Sequence, residues 1–135
     1  MTFLPEDHEA LEEFMSQAVS DKTSLHVAGT GTKEKLGDRV TADASLSLAR
    51  LSGIVDYQPE ELIIVAKPGT RMDEINAALA EKNQMLAFEP ANLASLYGAE
   101  HAGSVGGIVA ANLSGPRRIS AGAARDYLLG FTAVS

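Results

Sequence analysis

The sequence predicts an α+β fold with α/β character, because segments with strand-like patterns alternate with segments of helical spacing. The chain has 135 residues, of which 45% are hydrophobic, and a chain of this size buries about two thirds of its surface on folding. One domain with a hydrophobic core is therefore expected. The sequence contains no Cys, which excludes a disulfide scaffold, a thiolate metal site and a cysteine nucleophile.

The first half of the chain is predicted to hold one helix and several short strands. Pro5 suits a first helical turn, and Leu11, Phe14 and Ala18 follow at helical spacing, which predicts an amphipathic helix over residues 5–20. Short strands are expected at residues 25–28, 46–48, 54–57 and 62–66. The last of these is continuous and β-branched, which is typical of a strand buried on both faces.

A second helix is predicted after the break at Pro68-Gly69. Thr70 followed by Asp73 resembles a capping box, and apolar residues at helical spacing continue to Leu79. Asn83 is expected to end this helix in the left-handed conformation. The remaining elements are expected to be a strand over 85–88, a loop over 89–102 and a last strand over 128–134.

The last predicted strand has no predicted partner among these residues. We therefore expect a fragment of a longer protein, or a subunit that another chain completes. Self-association through residues 128–134 is a further expectation.

The charge of the chain narrows the classes of partner. The net charge is −7, and an acidic body disfavours nucleic-acid binding. The C-terminal part is different, because residues 103–135 hold Arg117, Arg118 and Arg125 against Asp126 alone. This part could form a positive corner for an anionic ligand, although a solvated surface explains the same charges. No apolar run reaches the length of a transmembrane segment and the N-terminus is acidic, so a cytoplasmic protein is expected.

A glycine-rich loop follows the first of the predicted strands. It consists of Gly29, Thr30, Gly31, Thr32 and Lys33. Glycines let backbone N–H groups approach an oxyanion closely, and the threonine hydroxyls add donors. The spacing matches neither a Walker motif nor a dinucleotide fingerprint. Phosphate binding and an ordinary turn are both open readings of this loop.

A second glycine-rich loop consists of Gly103, Ser104, Val105, Gly106 and Gly107. Ser104 is predicted to cap a helix whose first-turn N–H groups face a ligand. Glycine destabilises a helix, which indicates a close approach of a ligand or of a neighbouring element. The two loops begin 74 positions apart and could each hold one phosphate of a pyrophosphate. Close helix–sheet packing without a ligand is the alternative.

Other polar residues carry weaker signals. Asn112, Ser114 and Gly115 could donate hydrogen bonds to the edge of a heteroaromatic ligand. Arg125 and Asp126 are expected to form a structural ion pair. The three histidines lack the spacing of metal ligands, and no nucleophile elbow is present. Catalytic residues are not identified.

Together these motifs resemble the FAD-binding domain of the vanillyl-alcohol-oxidase-type (PCMH-type) flavoproteins. The stretch Asn112–Arg118, with the sequence Asn-Leu-Ser-Gly-Pro-Arg-Arg, is similar to that in the FAD-binding subunits of bacterial glycolate oxidases. The motifs that carry the resemblance are Ala28–Lys33, Pro68–Thr70, Leu86–Pro90, Gly103–Gly107, Ala110–Arg118 and Gly122–Gly130.

The resemblance implies a noncovalently bound FAD. Residues 29–33 and 103–107 would lie around the pyrophosphate, and residues 112–115 would lie nearer the flavin. Family members that attach the flavin covalently often use a His in or near the first loop, where this chain has Thr30 and Thr32. The resemblance also implies a small α/β subdomain over about residues 1–66 and the start of a larger mixed subdomain over 67–135. The cap domain, which carries most of the substrate and catalytic residues in the family, would lie outside these residues.

The implied activity is that of a glycolate or related 2-hydroxy-acid oxidase. A hydride would pass from the carbinol carbon to the flavin, and electrons would pass on to a second flavin subunit and an iron–sulfur subunit. Those partner subunits could place the protein at a membrane. A stand-alone nucleotide- or phosphate-binding module and an inert fragment are the alternatives. These 135 residues alone are expected to bind FAD weakly or not at all and to be inactive.

Overall fold

The computed structural model describes residues 2–38 and 41–135 and confirms the predicted mixed class. Its strands are β1 (Thr2–Phe3), β2 (Leu25–Ala28), β3 (Ala44–Ser47), β4 (Ile54–Gln58) and β5 (Ile63–Ala66). Its α-helices are α1 (His8–Ser20), α2 (Met72–Ala80), α3 (Ala94–Tyr97), α4 (Val105–Ala110) and α5 (Arg118–Ala121). A single 3₁₀ turn follows at Ala124–Asp126. No helix among these residues is long and apolar enough to cross a membrane.

The N-terminal part is a parallel three-stranded sheet in the order β1-β3-β2. Strand β3 lies in the middle, where its Leu46 is buried. Helix α1 begins after Asp7, whose carboxylate accepts a 2.8 Å hydrogen bond from the Ala10 amide. The ring of Phe3, in β1, stacks on the ring of Phe14, in α1, with the centroids 4.1 Å apart. This contact packs α1 against β1. The predictions of a helix at 5–20 and a strand at 25–28 are confirmed, with the helix starting later because Asp7 caps it.

Strands β4 and β5 form a separate antiparallel hairpin. Ile64 and Ala66 pack against the core, whereas Val65 points outward and is 46% exposed. Leu62 lies in the turn at φ 58° and is 76% exposed. The prediction that 62–66 is buried on both faces is therefore wrong. A continuous apolar run does not reveal that its sheet has two strands and only one covered face.

The core is built around α2. Met72, Ile75 and Leu79 are buried on one face of this helix, as their helical spacing predicts. They pack with Phe88, Ile108 and Ala124 from later segments, and the β4–β5 hairpin covers the cluster. Asn83 has φ 54° after the helix, which confirms the predicted left-handed stop.

Thr70 does not cap α2, contrary to the prediction. The N-cap position is Arg71, which makes no side-chain capping bond. The fully buried Thr70 hydroxyl instead donates to the Lys67 carbonyl at 2.7 Å and accepts from the Gly53 amide at 2.9 Å. It therefore joins the loops on the two sides of the hairpin, where tertiary partners outcompete the local cap.

Three predictions for the second half are wrong. Residues 85–88 form no strand; Phe88 enters the core and a turn bond joins the Glu89 amide to the Leu86 carbonyl. The predicted loop at 89–102 contains one helical turn, α3. Residues 128–134 pair with no described strand, and Leu129 and Phe131 are 79% and 78% exposed. The predicted self-association through this segment therefore lacks the strand edge on which it depended.

Candidate functional site

The two glycine-rich loops come together in one cleft of about 310 Å³. The first loop follows β2 directly, so the parallel sheet places it at the carboxyl edge of that strand. The second loop leads into α4. The cleft is lined by residues 26–34, Leu36, Ser104, Gly107, Ala110 and Ala111.

Missing side chains allow the two loops to touch. A Cβ atom on Gly29 would overlap the Ser104 hydroxyl. A Cβ atom on Gly103 would lie 2.7 Å from Thr32 Oγ1, and one on Gly107 would lie 3.2 Å from Lys33 Nζ. The contact between the loops therefore requires glycine at positions 29 and 103, whereas at position 107 the flexible Lys33 side chain could move aside.

Lys33 supplies the positive charge of this cleft. Partial burial lowers the pKa of its ammonium group from the ordinary value. No carboxylate of the described residues lies within 4.0 Å of its nitrogen. A desolvated cation without an acidic partner favours an anionic ligand, because the ligand's charge would offset the cost of burial.

Thr30 provides an unsatisfied polar group in the same cleft. Its Oγ1 is buried and has no hydrogen-bond partner among the described residues. Buried hydroxyls nearly always have a partner, so an exception needs an explanation, such as a functional role, an ordered water or an ion. Thr30 thus fits a donor to a phosphate oxygen.

The predicted first-turn amides of α4 are only partly available, which corrects the sequence-based picture. The Val105 amide donates to the Thr70 carbonyl and the Gly106 amide to the Pro68 carbonyl, both at 2.9 Å. Ser104 lies at the N-cap but makes no side-chain capping bond. The Gly107 amide has no backbone acceptor among the described residues and lines the cleft. Two of the expected donors therefore hold the loop against the 68–70 turn instead.

Gly106 is a packing residue. A Cβ atom at this position would lie 2.8 Å from the Pro68 carbonyl oxygen and 2.9 Å from the Pro68 Cβ. Replacing it by Val would damage folding directly, because a backbone group cannot move aside as a flexible side chain can.

The third predicted group lies apart from this cleft. The Asn112 side-chain oxygen accepts from the Arg125 amide at 3.0 Å, and the Ser114 hydroxyl accepts from the Ala124 amide at 2.9 Å. Gly115 is buried, and a Cβ atom there would lie 2.7 Å from the Glu89 Cβ. These residues fasten the 112–115 segment to its neighbours.

A second cavity of about 720 Å³ lies beside this segment. Glu89 and Arg117 form an ion pair of 2.8 Å on its wall, and the Arg117 hydrogen bond holds the pKa of the Glu89 carboxyl below its usual range. No local sequence pattern predicts this pair, because its members are 28 positions apart in the chain. The remaining lining residues are Pro90, Ala91, Ser114, Gly115, Pro116, Arg118 and Ile119.

The other candidate residues have structural contacts. The His101 Nδ1 accepts a 3.3 Å hydrogen bond from the Gly103 amide, so this histidine supports the second loop. Arg125 and Asp126 lie 3.8 Å apart on the surface, and the Asp126 carboxylate also accepts from the Ala123 amide at 2.8 Å. No group of three potential metal ligands occurs in residues 2–38 and 41–135.

The chain belongs to a family of FAD-binding domains, since the protein-family model described as "FAD binding domain" matches residues 1–135. Its cofactor is FAD. It is 44% identical over 122 residues to glycolate oxidase subunit GlcE of Escherichia coli (strain K12). That match covers 90% of this chain and 33% of GlcE, so the chain spans about a third of the length of this relative.

Solved structures share the fold. An alkyldihydroxyacetonephosphate synthase is 20% identical with a TM-score of 0.70, covering 96% of this chain and 26% of that protein. A Phl p 4 variant described as a glucose oxidase is 15% identical with a TM-score of 0.73, covering 95% and 25%. An aclacinomycin oxidoreductase is 18% identical with a TM-score of 0.64, covering 93% and 24%. At these identities the likeness establishes the fold alone.

The residues of the first cleft fit a cofactor with a pyrophosphate. Lys33 provides a desolvated charge, Thr30 an unpaired hydroxyl and Gly107 an unpaired amide. The glycines let the two loops approach each other closely, which brings these donors and the Lys33 charge into one cleft.

Proposed function

We propose that this chain is the FAD-binding part of a subunit of a glycolate-oxidising enzyme, in which the cleft between the two glycine-rich loops holds the FAD pyrophosphate. The observation that carries the proposal is that one cleft is lined by both Thr30, whose hydroxyl is buried and unpaired, and the partly buried Lys33. The similarity to GlcE supports the choice of enzyme.

The chain's own residues would bind and orient the cofactor. Lys33 would neutralise pyrophosphate charge, and the Thr30 hydroxyl and the Gly107 amide would donate hydrogen bonds to its oxygens. The remaining residues proposed for this part of the site are Gly29, Gly31, Thr32, Gly103, Ser104, Val105 and Gly106. Among these, Val105 and Gly106 would act through the shape of the loop, since their amides are already engaged.

The segment Asn112–Gly115 is proposed to lie nearer the flavin ring. Its bonds to Ala124 and Arg125 would hold it rigidly, which is what orientation of a flat ring requires. The chemistry that FAD supplies when bound is two-electron oxidation, here of the carbinol carbon of a 2-hydroxy acid. Noncovalent binding is proposed because the first loop offers Thr30 and Thr32 and no histidine.

The wider organisation is proposed from the resemblance. Residues 1–66 would form a small α/β subdomain and residues 67–135 the start of a second, mixed one. Electrons would pass to partner subunits that carry a second flavin and an iron–sulfur centre, in the cytoplasm or at a membrane through those partners.

The proposal is tested by titrating the purified chain with FAD, ADP-ribose and riboflavin. We expect ADP-ribose to compete with FAD and riboflavin to compete poorly, because the cleft recognises the pyrophosphate. Lys33→Met should weaken FAD binding by about tenfold or more. Lys82→Met, which removes an exposed lysine next to the end of α2, is the matched control.

Two outcomes would contradict the proposal. Equal FAD affinity of Lys33→Met and of the control would place the pyrophosphate elsewhere. FAD binding without glycolate oxidation, when these residues replace the matching third of GlcE in an otherwise intact enzyme with a dye acceptor, would leave only a nucleotide-binding module.

A further inference from the structure

Lys33 differs from the other lysines of the chain in its surroundings. Its side chain is partly buried and lines the cleft between the glycine-rich loops. Cβ atoms built on Gly103 and Gly107 would lie 3.0 Å and 3.2 Å from its Nζ, so the amino group lies close to the backbone of the second loop. The other lysines are exposed: Lys22, Lys35, Lys67 and Lys82.

No acidic partner holds Lys33 in its charged form. No carboxylate of the described residues lies within 4.0 Å of its Nζ. The other titratable residues that line the cleft are His26 and Glu34, and the Glu34 carboxylate lies towards Gly31, where a Cβ atom would be 3.1 Å from its Oε1. Burial lowers the pKa of Lys33, which raises the fraction of neutral amine at a given pH. A neutral, partly desolvated lysine amine is a nucleophile.

The same cleft offers a hydrogen-bond donor to a phosphate group. Thr30 Oγ1 is buried and has no partner among the described residues, and Thr30 lines the cleft together with Lys33. A phosphate held by this hydroxyl would bring any reactive group joined to it near the amine, which raises the effective concentration of that group. An acyl phosphate carries both parts, an anionic phosphate and an electrophilic acyl carbon.

We propose that Lys33 is a modification site, acylated at Nζ by small acyl phosphates that bind in the cleft through their phosphate group. The neutral amine attacks the acyl carbon, so a C–N bond forms. The C–O bond between the acyl carbon and the phosphate breaks, and its electron pair leaves with the phosphate. One amine proton passes to the released phosphate, and no group is oxidised or reduced. The product is an uncharged amide on Lys33.

Acylation would oppose FAD binding, a consequence that rests on the proposed function. The amide carries no charge, so the pyrophosphate would lose the cation that neutralises it. The acyl group also adds atoms to the cleft at the point where Nζ lies close to Gly103 and Gly107. FAD and acylation would therefore exclude each other, and the modification would regulate loading of the cofactor.

The test compares two acetyl donors on the purified, FAD-free chain. Acetyl phosphate carries a phosphate group and p-nitrophenyl acetate does not, and peptide mass spectrometry measures the initial rate of acetylation at each lysine. Lys35 is the matched internal control, because it is exposed and lies two positions away in the chain. We expect the ratio of the Lys33 rate to the Lys35 rate to be about tenfold higher with acetyl phosphate than with p-nitrophenyl acetate.

Two further measurements test the role of the cleft. Inorganic pyrophosphate should protect Lys33 from acetyl phosphate and leave Lys35 unprotected. Thr30→Val should lower the preference of acetyl phosphate for Lys33, and Thr30→Ser should keep it. The proposal is overturned if the ratio of the two rates is the same with both donors, if pyrophosphate does not protect Lys33, or if Thr30→Val keeps the full preference.

The effect on the cofactor is measured with acetyllysine genetically encoded at position 33 or, as the control, at the exposed position 82. We expect the chain acetylated at 33 to bind FAD about tenfold more weakly or worse, and equal affinities would overturn the regulatory role. If Lys33→Met weakens FAD binding but acetyl phosphate does not select Lys33, only the present inference fails. If acetyl phosphate selects Lys33 while Lys33→Met binds FAD as its control does, the proposed function fails and the modification site remains.

Discussion

Gly29 lies directly against Ser104, and a methyl group on Gly29 would overlap the Ser104 hydroxyl. This contact joins the loop after β2 to the loop before α4 and so closes one side of the proposed pyrophosphate cleft. Two segments that are distant in the sequence therefore share a boundary that only a glycine permits.

Gly29→Ala is expected to push the two loops apart. The free energy of unfolding should fall by about 1–3 kcal/mol, because Ser104 is buried and has little room to move. FAD affinity should fall with it. Urea unfolding and an FAD titration measure the two effects. Gly130→Ala is the matched control, because nothing within 4 Å surrounds a Cβ atom there; equal results for the two variants would contradict the contact.

Thr30→Val separates ligand binding from folding. The Thr30 hydroxyl is buried without a partner, so removing it should leave the stability of the FAD-free chain unchanged or raise it by up to about 1–3 kcal/mol. FAD affinity should fall by about tenfold as a donor to phosphate is lost. Thr30→Ser, which keeps the hydroxyl, should retain most of the affinity. A Thr30→Val chain that binds FAD normally would show that this hydroxyl does not meet the cofactor.

The lowered pKa of Lys33 predicts a pH dependence of binding. An anionic ligand favours the protonated lysine, so affinity should fall as the pH rises through the Lys33 pKa, which lies below the ordinary value of 10.5. ADP-ribose is a suitable probe because its pyrophosphate stays fully charged between neutral and alkaline pH. Its dissociation constant, measured from pH 7 to 10, should rise in the wild-type chain. Lys33→Arg keeps the charge throughout this range and should flatten the profile; an unchanged slope would assign the titration to another group.

Thr70→Val tests the junction between the hairpin and α2. The substitution leaves the Gly53 amide without its 2.9 Å acceptor and the Lys67 carbonyl without its 2.7 Å donor. The free energy of unfolding should fall by about 1–3 kcal/mol, because the Gly53 amide loses its acceptor at a partly buried position, whereas the Lys67 carbonyl keeps the Thr70 amide as a donor. Urea unfolding measures the loss, and Thr70→Ser should keep most of the stability. A Val variant as stable as wild type would show that water replaces the hydroxyl.

Local sequence predicted elements that depend on their own residues. The helical spacing of Met72, Ile75 and Leu79 predicts one buried face, and these three residues form the centre of the core. Asn83 ends the same helix as expected, because its short polar side chain tolerates a positive φ. The prediction of a strand at 25–28 was correct, and so the first glycine-rich loop was placed correctly after it.

Segments whose structure depends on distant partners could not be predicted in the same way. Residues 85–88 and 128–134 have strand-like composition, but a strand forms only when another strand satisfies its N–H and C=O groups. Thr70 has the sequence of a cap, yet Gly53 and Lys67 offer it better hydrogen bonds. The Glu89–Arg117 pair joins residues 28 positions apart, and no local pattern indicates it.

The sequence by itself determined the fold class, the amphipathic helices and the two glycine-rich loops, because composition and periodicity act over a few neighbouring residues. Only the tertiary structure decided that these loops meet, that the Val105 and Gly106 amides are already engaged, and that Thr30 and Lys33 face one cleft. The reason is physical. A hydrogen-bond donor becomes available to a ligand only when every neighbouring acceptor is out of reach, and folding alone sets those distances.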